Sequence, residues 1–489
     1  MKDEVLSAAS RRNMFLAPDA LEVIESNGYS MEFVNTLLNS LSKNTVFVMK
    51  SDVVNFLNGD KGIMEPEKVI KPKIKRDTDI SIIPGSDITG QSTCTGTIED
   101  FTNYFRSRYN ILKKIILKRR DFEAPLPISR AMEVDREVNI IGIIYEVKTT
   151  KNGHTMLEIE DESGSCNVLI RKDTPISNEL FVNDEVIGIT GKRSKPSTGQ
   201  GGKYSNRSGF FNANKIYRPD VTEKSSWTPS DSDSSIAFLS DIHIGSKEFL
   251  KPQWEKMIGW LKANAYEKNL NYLVLPGDVV DGIGAYPGQE NDLNIDNIFK
   301  QYETLSEYLK DIPDHMKIVM HPGNHDACRL AEPQPALKDI YTKSFDSNII
   351  ITGNPINLNV EGRIVTSYHG KSIDDWVQSV RGMSYEDPPA VMKQMIMRRH
   401  LAPMYGQKNA LAPEKKDYLA MEHLPDIFVS GHVHGAGRLE YHGVKMINAS
   451  SWQSQTDYQK RNNFNPDPAI MPVVHLGTGE ITMHDFLKG

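Results

Sequence analysis

The chain is predicted to be a multi-domain α/β protein: an N-terminal helical module, a small closed β-barrel and a C-terminal layered α/β domain. Three observations carry this expectation. At 489 residues the chain exceeds what one hydrophobic core organises. Hydrophobic periodicity is helical up to about residue 120, changes to short strands over 133–219, and from 236 onward alternates apolar strands with helical stretches. Five clusters of Asp, Asn and His beside glycine follow those last strands, and twelve of the thirteen histidines lie beyond residue 240.

Bulk composition excludes several classes. No apolar run approaches the roughly 18–20 residues that span a bilayer. The N-terminus, Met1-Lys2-Asp3-Glu4-Val5, lacks the apolar region of a secretory signal. Three well-separated cysteines, Cys94, Cys166 and Cys328, suit neither a disulfide framework nor a thiolate zinc site. The expectation is a cytoplasmic protein with no membrane partner. A net charge of -7 gives no global nucleic-acid signal, so any DNA-binding surface has to be local.

Residues 1–60 are expected to form a small helical accessory module. Asp19 precedes Leu21, Val23 and Ile24, and Ser30 precedes Met31, Val34, Leu37 and Leu38 at helical spacing. Residues 61–97, rich in Pro and Lys, are expected as a flexible linker. A connecting helix follows within 98–132, with Phe101, Phe105, Leu112, Ile115 and Ile116 along one face and Lys113, Lys114, Lys118, Arg119 and Arg120 at its end.

Residues 133–220 hold short strands broken by Asn152-Gly153, Ser163-Gly164 and Asn183-Asp184, the pattern of an OB-fold barrel. Seven Lys/Arg and no acidic residue lie between Val186 and Pro219. Lys192, Arg193, Lys195, Lys203 and Arg207, interleaved with Tyr204, Phe210 and Phe211, suit single-stranded DNA by charge and stacking. A solubilising loop or a protein-docking barrel fits the same residues. Residues 221–235, rich in Ser and Asp, are expected as a second linker.

The domain 236–489 carries the chemistry. Ile236–Ser240 is an apolar strand delivering Asp241 and His243, and strand alternation would point both the same way. Equivalent strands deliver Asp278, then Asn324 and His325, then His369, then His432 and His434. Carboxylate, amide oxygen and imidazole together suit two borderline divalent ions, which clamp a phosphate and activate a water between them. One such block is weak evidence, whereas five in order after strands are not an accident of composition. Arg329 could hold a substrate phosphate or pair with Glu332 or another carboxylate. Trp452 and Tyr458 could stack on a base or face a partner, and His321 and His442 are expected to be packing groups.

These D-x-H, GD, GNHD, H and GHxH blocks resemble the calcineurin-like metallophosphoesterase superfamily. The resemblance implies one metal held by Asp241, His243, Asp278 and His434. A second would be held by Asp278, Asn324, His369 and His432, with Asp278 bridging. It also implies that His325 protonates the leaving oxygen, oriented by Asp326, and that the ions are Mn²⁺ before Fe, Zn or Mg. The longer words Gly277–Gly284, Gly323–Pro335, His369–Ser372 and Trp452–Thr456, over about residues 98–489, resemble the small subunits of archaeal family D DNA polymerases. That resemblance implies a proofreading 3'–5' exonuclease acting on single-stranded or primer-template DNA beside a large polymerising subunit. The eukaryotic B-subunits resembling it have lost metal ligands, and none is lost here. A non-catalytic scaffold, or a phosphatase or phosphodiesterase on another substrate, are the competing readings.

Overall fold

The computed structural model describes residues 2–12, 14–26, 30–41, 47–57, 78–194, 209–222, 226–461 and 464–488. They divide into two compact units, Met1–Lys71 and Pro72–Gly489.

The first unit is helical. It holds α1 (Lys2–Ser10), β1 (Phe15–Leu16), α2 (Pro18–Ser26), α3 (Met31–Ser40), β2 (Phe47–Val48) and α4 (Lys50–Leu57). Ser30 caps α3 as its sequence suggests, its Oγ accepting from Phe33 N at 3.2 Å. The apolar positions at helical spacing, Ile24, Val34, Leu37 and Leu38 among them, close one small core.

In the second unit, part of the stretch expected as a linker is structured. Ile80–Ile82 forms β3, which pairs antiparallel with a strand of the C-terminal domain, and Glu414 accepts from Ser92 Oγ and from the backbone of Thr93 and Cys94. An edge strand needs only a free backbone ladder, so its short apolar run is a weak signal. The expected second linker is likewise tied down: Trp227 Nε1 donates to Gly477 O at 3.0 Å.

Helix α5 (Ile98–Ile116) starts at a capping box made by Thr97 and Asp100. Its buried face is Tyr104, Arg108, Tyr109, Leu112 and Ile116, and Phe105 and Ile115 of the expected line pack against the same core. Phe101 lies outside that core, and it and Phe105 pack edge-on against Tyr405. After α6 (Ile128–Ala131), five strands close a barrel: β4 (Val138–Thr149), β5 (Thr155–Asp161), β6 (Gly164–Ile170), β7 (Val186–Arg193) and β8 (Phe211–Tyr217). They close in the order β4-β5-β6-β8-β7, with β6 and β8 parallel and the other pairs antiparallel.

The C-terminal domain places two six-stranded sheets between helices. The first contains β9 (Ser235–Phe238), β10 (Leu270–Leu275), β11 (Lys317–Met320), β12 (Ile349–Ile351), β18 (Ile470–His475) and β19 (Ile481–Asp485). The second contains β13 (Ile356–Val360), β14 (Arg363–Ser367), β15 (Ile427–Ser430), β16 (Ala436–Tyr441), β17 (Val444–Ala449) and the edge strand β3. Strand residues alternate between faces, and in the central strands β9, β10 and β15 both faces are buried, which is why their sequences are mostly apolar. Ile236, Phe238, Val274 and Val319 from the first sheet meet Leu358, Val365, Ile427 and Ile447 from the second. Ala237, Leu273, Ile318 and Met320 turn the other way, onto α7 (Lys251–Asn264) and α8 (Ile298–Leu309). The opposite face of the second sheet packs on α9 (Ile373–Ser379) and α10 (Pro388–Arg398). No helix among the described residues is long and apolar enough to cross a membrane.

Candidate metal centre

All five blocks follow the C-terminal ends of parallel strands. β9, β10 and β11 of the first sheet lead into Asp241 and His243, Asp278, and Asn324 and His325. β14 and β15 of the second lead into His369, and into His432 and His434. The two sheets therefore meet over a single cluster. Asp241, His243 and His434 present ligand atoms within 4.8 Å of one another, and so do Asp278, His369 and His432.

The backbone here is not that of a strand. Asp241 (φ 53°), His243 (53°), Asp278 (49°), His432 (71°) and His434 (52°) are all left-handed. L-residues avoid this region at a cost of about 1–3 kcal/mol each, and such outliers gather where function requires them. Asp241 and His243 converge through this conformation; the expected strand alternation does not apply, because β9 ends at Phe238. Glycine serves close approach at two neighbouring points: a Cβ at Gly323 would overlap Asp278 Oδ1, and one at Gly431 would overlap Asp241 Oδ2.

The hydrogen bonds orient each group. His369 Nδ1 lies 2.9 Å from Pro276 O and His243 Nδ1 2.9 Å from Asp281 Oδ1. These acceptors place the proton on Nδ1 and leave Nε2 of each ring to face the cluster. His369 Nε2 is 3.0 Å from Asn324 Oδ1 and 3.3 Å from Asp278 Oδ2. The same Asp278 oxygen is 4.0 Å from His243 Nε2, so it stands between the two halves. Its Oδ1 accepts from His325 N at 2.7 Å.

The residues fit a metal pair. Asp241 Oδ1 is fully buried without a hydrogen-bond partner among the described residues, 3.4 Å from His434 Nε2 and 3.9 Å from His243 Nε2. An unpaired buried carboxylate oxygen is costly unless a cation meets it. Burial opposes protonation of His369, yet the Asp278 carboxylate pushes it up to about 10. Burial likewise opposes His243, which the Asp281 hydrogen bond and charge carry up to about 9. A field that draws a proton so strongly also draws a metal ion.

The family model for the B-subunit of DNA polymerases alpha/epsilon matches residues 236–435, the span of all five blocks. The DNA polymerase II small subunit of Archaeoglobus fulgidus is 38% identical over 485 residues, covering 96% of this chain and 95% of that protein. The chain belongs to the DNA polymerase II small-subunit family. The small subunit of Methanocaldococcus jannaschii is 41% identical over 419 residues, covering 82% of this chain and 68% of its own. That of Thermoplasma acidophilum is 38% identical, covering 86% and 83%. A solved archaeal phosphodiesterase is 12% identical and covers 51% of this chain and 98% of its own with a TM-score of 0.27, a likeness too slight to bear on function.

In this small-subunit chain several expected residues stand elsewhere. His325 is not oriented by Asp326. Its Nδ1 lies 2.8 Å from the Asp281 carbonyl, and Asp326 turns inward to accept from Gly323 N at 2.8 Å and Tyr302 OH at 3.1 Å. Arg329 pairs with Glu414 at 3.0 Å and donates to Ser92 and Pro333, while Glu332 is buried against Tyr368 and Asn409. Trp452 is fully buried against Trp254, so it neither stacks on a base nor faces a partner. The Tyr458 side chain, Lys195, Lys203, Tyr204 and Arg207 lie outside the described residues, and Lys192 and Arg193 end β7. His321 packs as expected, with Nε2 2.8 Å from Ser367 Oγ.

Sequence reasoning missed Asp281 and Asp374. Asp281 is buried, holds His243 and accepts from Gln289 and Gln453. Asp374 lies 3.4 Å from His432 Nε2 and also meets Lys371 and Lys408. Asp281 follows Gly277-Asp278 by only a few residues, a signal present in the sequence; Asp374 had none.

Proposed function

We propose that this chain is the 3'–5' exonuclease subunit of an archaeal replicative DNA polymerase and removes nucleotides from the 3' end of single-stranded or primer-template DNA. The observation that carries this is the complete ligand set, with Asp241 Oδ1 left open, in a chain of the polymerase small-subunit family. We read the five-stranded barrel as an OB-fold, on its closure order and its one parallel pair, and the two-sheet domain as a metallophosphoesterase domain. Asp241, His243, Asp278 and His434 would hold one ion, and Asp278, Asn324, His369 and His432 the other, with Mn²⁺ the first choice. When bound, the pair supplies Lewis-acid polarisation of the phosphodiester and a water of lowered pKa.

The chain's own residues do the rest. Asp281 fixes the His243 ring and Pro276 O the His369 ring, so both ligands are set before substrate arrives. His325, held at Nδ1 by Asp281 O, offers Nε2 as the proton donor to the leaving oxygen. Asp326 anchors the Gly323–Asp326 turn. The large polymerising subunit is the expected partner, supported by the relatives' designation as small subunits.

A substrate panel tests the choice against a general phosphatase. Single-stranded DNA, a phosphopeptide and p-nitrophenyl phosphate are offered with Mn²⁺ at equal concentration. Degradation of DNA alone supports the exonuclease; turnover of the monoesters without attack on DNA would overturn it.

A further inference from the structure

We propose that the groove beside His325 is the subsite for the penultimate nucleoside of the strand, the one on the leaving-oxygen side of the scissile phosphodiester. This rests on the exonuclease reading above. The groove encloses about 580 Å³, within the range of small-ligand sites. Asn324 and His325 line it, with Ile283, Leu330, Lys338 and Tyr341. None of the other six cluster residues does. Ile283 and Leu330 are 51% and 67% exposed, large aliphatic groups held in water at the mouth of the site.

The chemistry decides which half of the substrate belongs there. Releasing a 5'-monophosphate from a 3' end makes a bond from a water oxygen to phosphorus and breaks the P–O3' bond. The departing O3' keeps the bonding pair and takes a proton from His325. The water's proton passes to solvent, and solvent reprotonates His325. The donor must stand beside O3', so the space that shares a wall with His325 receives the sugar carrying that oxygen, and its base. Apolar contact and stacking suit any base, as a proofreading site requires. Arg329 is committed to Glu414, Ser92 and Pro333. Lys338 is exposed and makes no ion pair among the described residues, which leaves it for the next phosphate toward the 5' end.

The test pairs substrate and protein changes. Full-length chain with Mn²⁺ digests oligonucleotides that are intact, abasic at the penultimate position, or abasic at the terminal position. Wild type is compared with Leu330→Ser and Ile283→Ser, each at an exposed position. The subsite predicts that losing the penultimate base slows wild type about tenfold or more and each variant less than about threefold. The penalty for losing the terminal base should be the same in all three proteins. An equal penultimate penalty in all three, or none in wild type, overturns the subsite alone. So do variants that cleave normally but no longer bind the large subunit, which would make this face a docking surface. Failure of wild type to cleave any substrate overturns the exonuclease reading, and the subsite falls with it.

Discussion

Removing the His325 imidazole separates proton donation from metal binding. The ring is hydrogen-bonded through Nδ1 to the Asp281 carbonyl at 2.8 Å and packs edge-on against the His243 ring. The contact that matters to the cluster, His325 N to Asp278 Oδ1 at 2.7 Å, is made by the backbone and survives His325→Ala. A sugar O3' leaves as a strongly basic alkoxide, so general-acid help is worth about 10²–10⁴ in rate, which is about 3–5 kcal/mol of barrier. A p-nitrophenolate leaving group needs no proton. His325→Ala should therefore lower kcat on single-stranded DNA by about 10²–10⁴, while the rate on thymidine 5'-(p-nitrophenyl phosphate) falls by less than about tenfold. Metal content, measured by elemental analysis, should not change. Equal losses on both substrates with metal intact, or full activity on DNA, would refute the role given to His325.

Three further outcomes are expected. Asp281→Asn, which weakens the acceptor holding His243 Nδ1, should lower Mn²⁺ affinity about 10–100-fold by calorimetric titration; unchanged affinity would count against it. Arg108→Met should destabilise the second unit by about 3–5 kcal/mol in denaturant unfolding. It takes the guanidinium, 2.8 Å away at Nε, from buried Asp417, which keeps only His400 Nε2 and Leu419 N, and it orphans the carbonyls of Asp184 and Pro403; a cost below about 1 kcal/mol would show the ion pair to be dispensable. His400 is held neutral by burial, its value lowered to about 4. A group depressed on folding adds stability above its unfolded value near 6.5, and that stability is lost as pH falls toward 4. The wild type should lose on the order of 3 kcal/mol more than His400→Gln between pH 7 and pH 4, and parallel pH profiles would exclude this.

The candidate metal ligands were legible because each is a short-range signal: a polar residue of ligand type, a glycine, and an apolar strand just before. The alternation of buried strands and helices was legible for the same reason. What could not be read was set by tertiary contact. Asp241 and His243 were expected to share a strand face, but the strand stops at Phe238 and a left-handed backbone brings them together. Only the geometry of the second sheet puts Asp374 beside His432. Trp452 sits in a polar segment yet fills the gap under Trp254. Arg108 is fully buried on α5, and nothing in its local sequence signals that. Ile80–Ile82 carried too few apolar residues to separate an edge strand from a linker.

The most direct test of the central claim is digestion of 3'-labelled and 5'-labelled single-stranded DNA with Mn²⁺, by the chain alone and with its large subunit. Asp278→Ala and a chelator serve as controls. The expected result is immediate loss of the 3' label, a descending ladder from the 5'-labelled strand, and no cleavage in either control. Intact DNA under every condition, or cleavage that persists in Asp278→Ala, would contradict it.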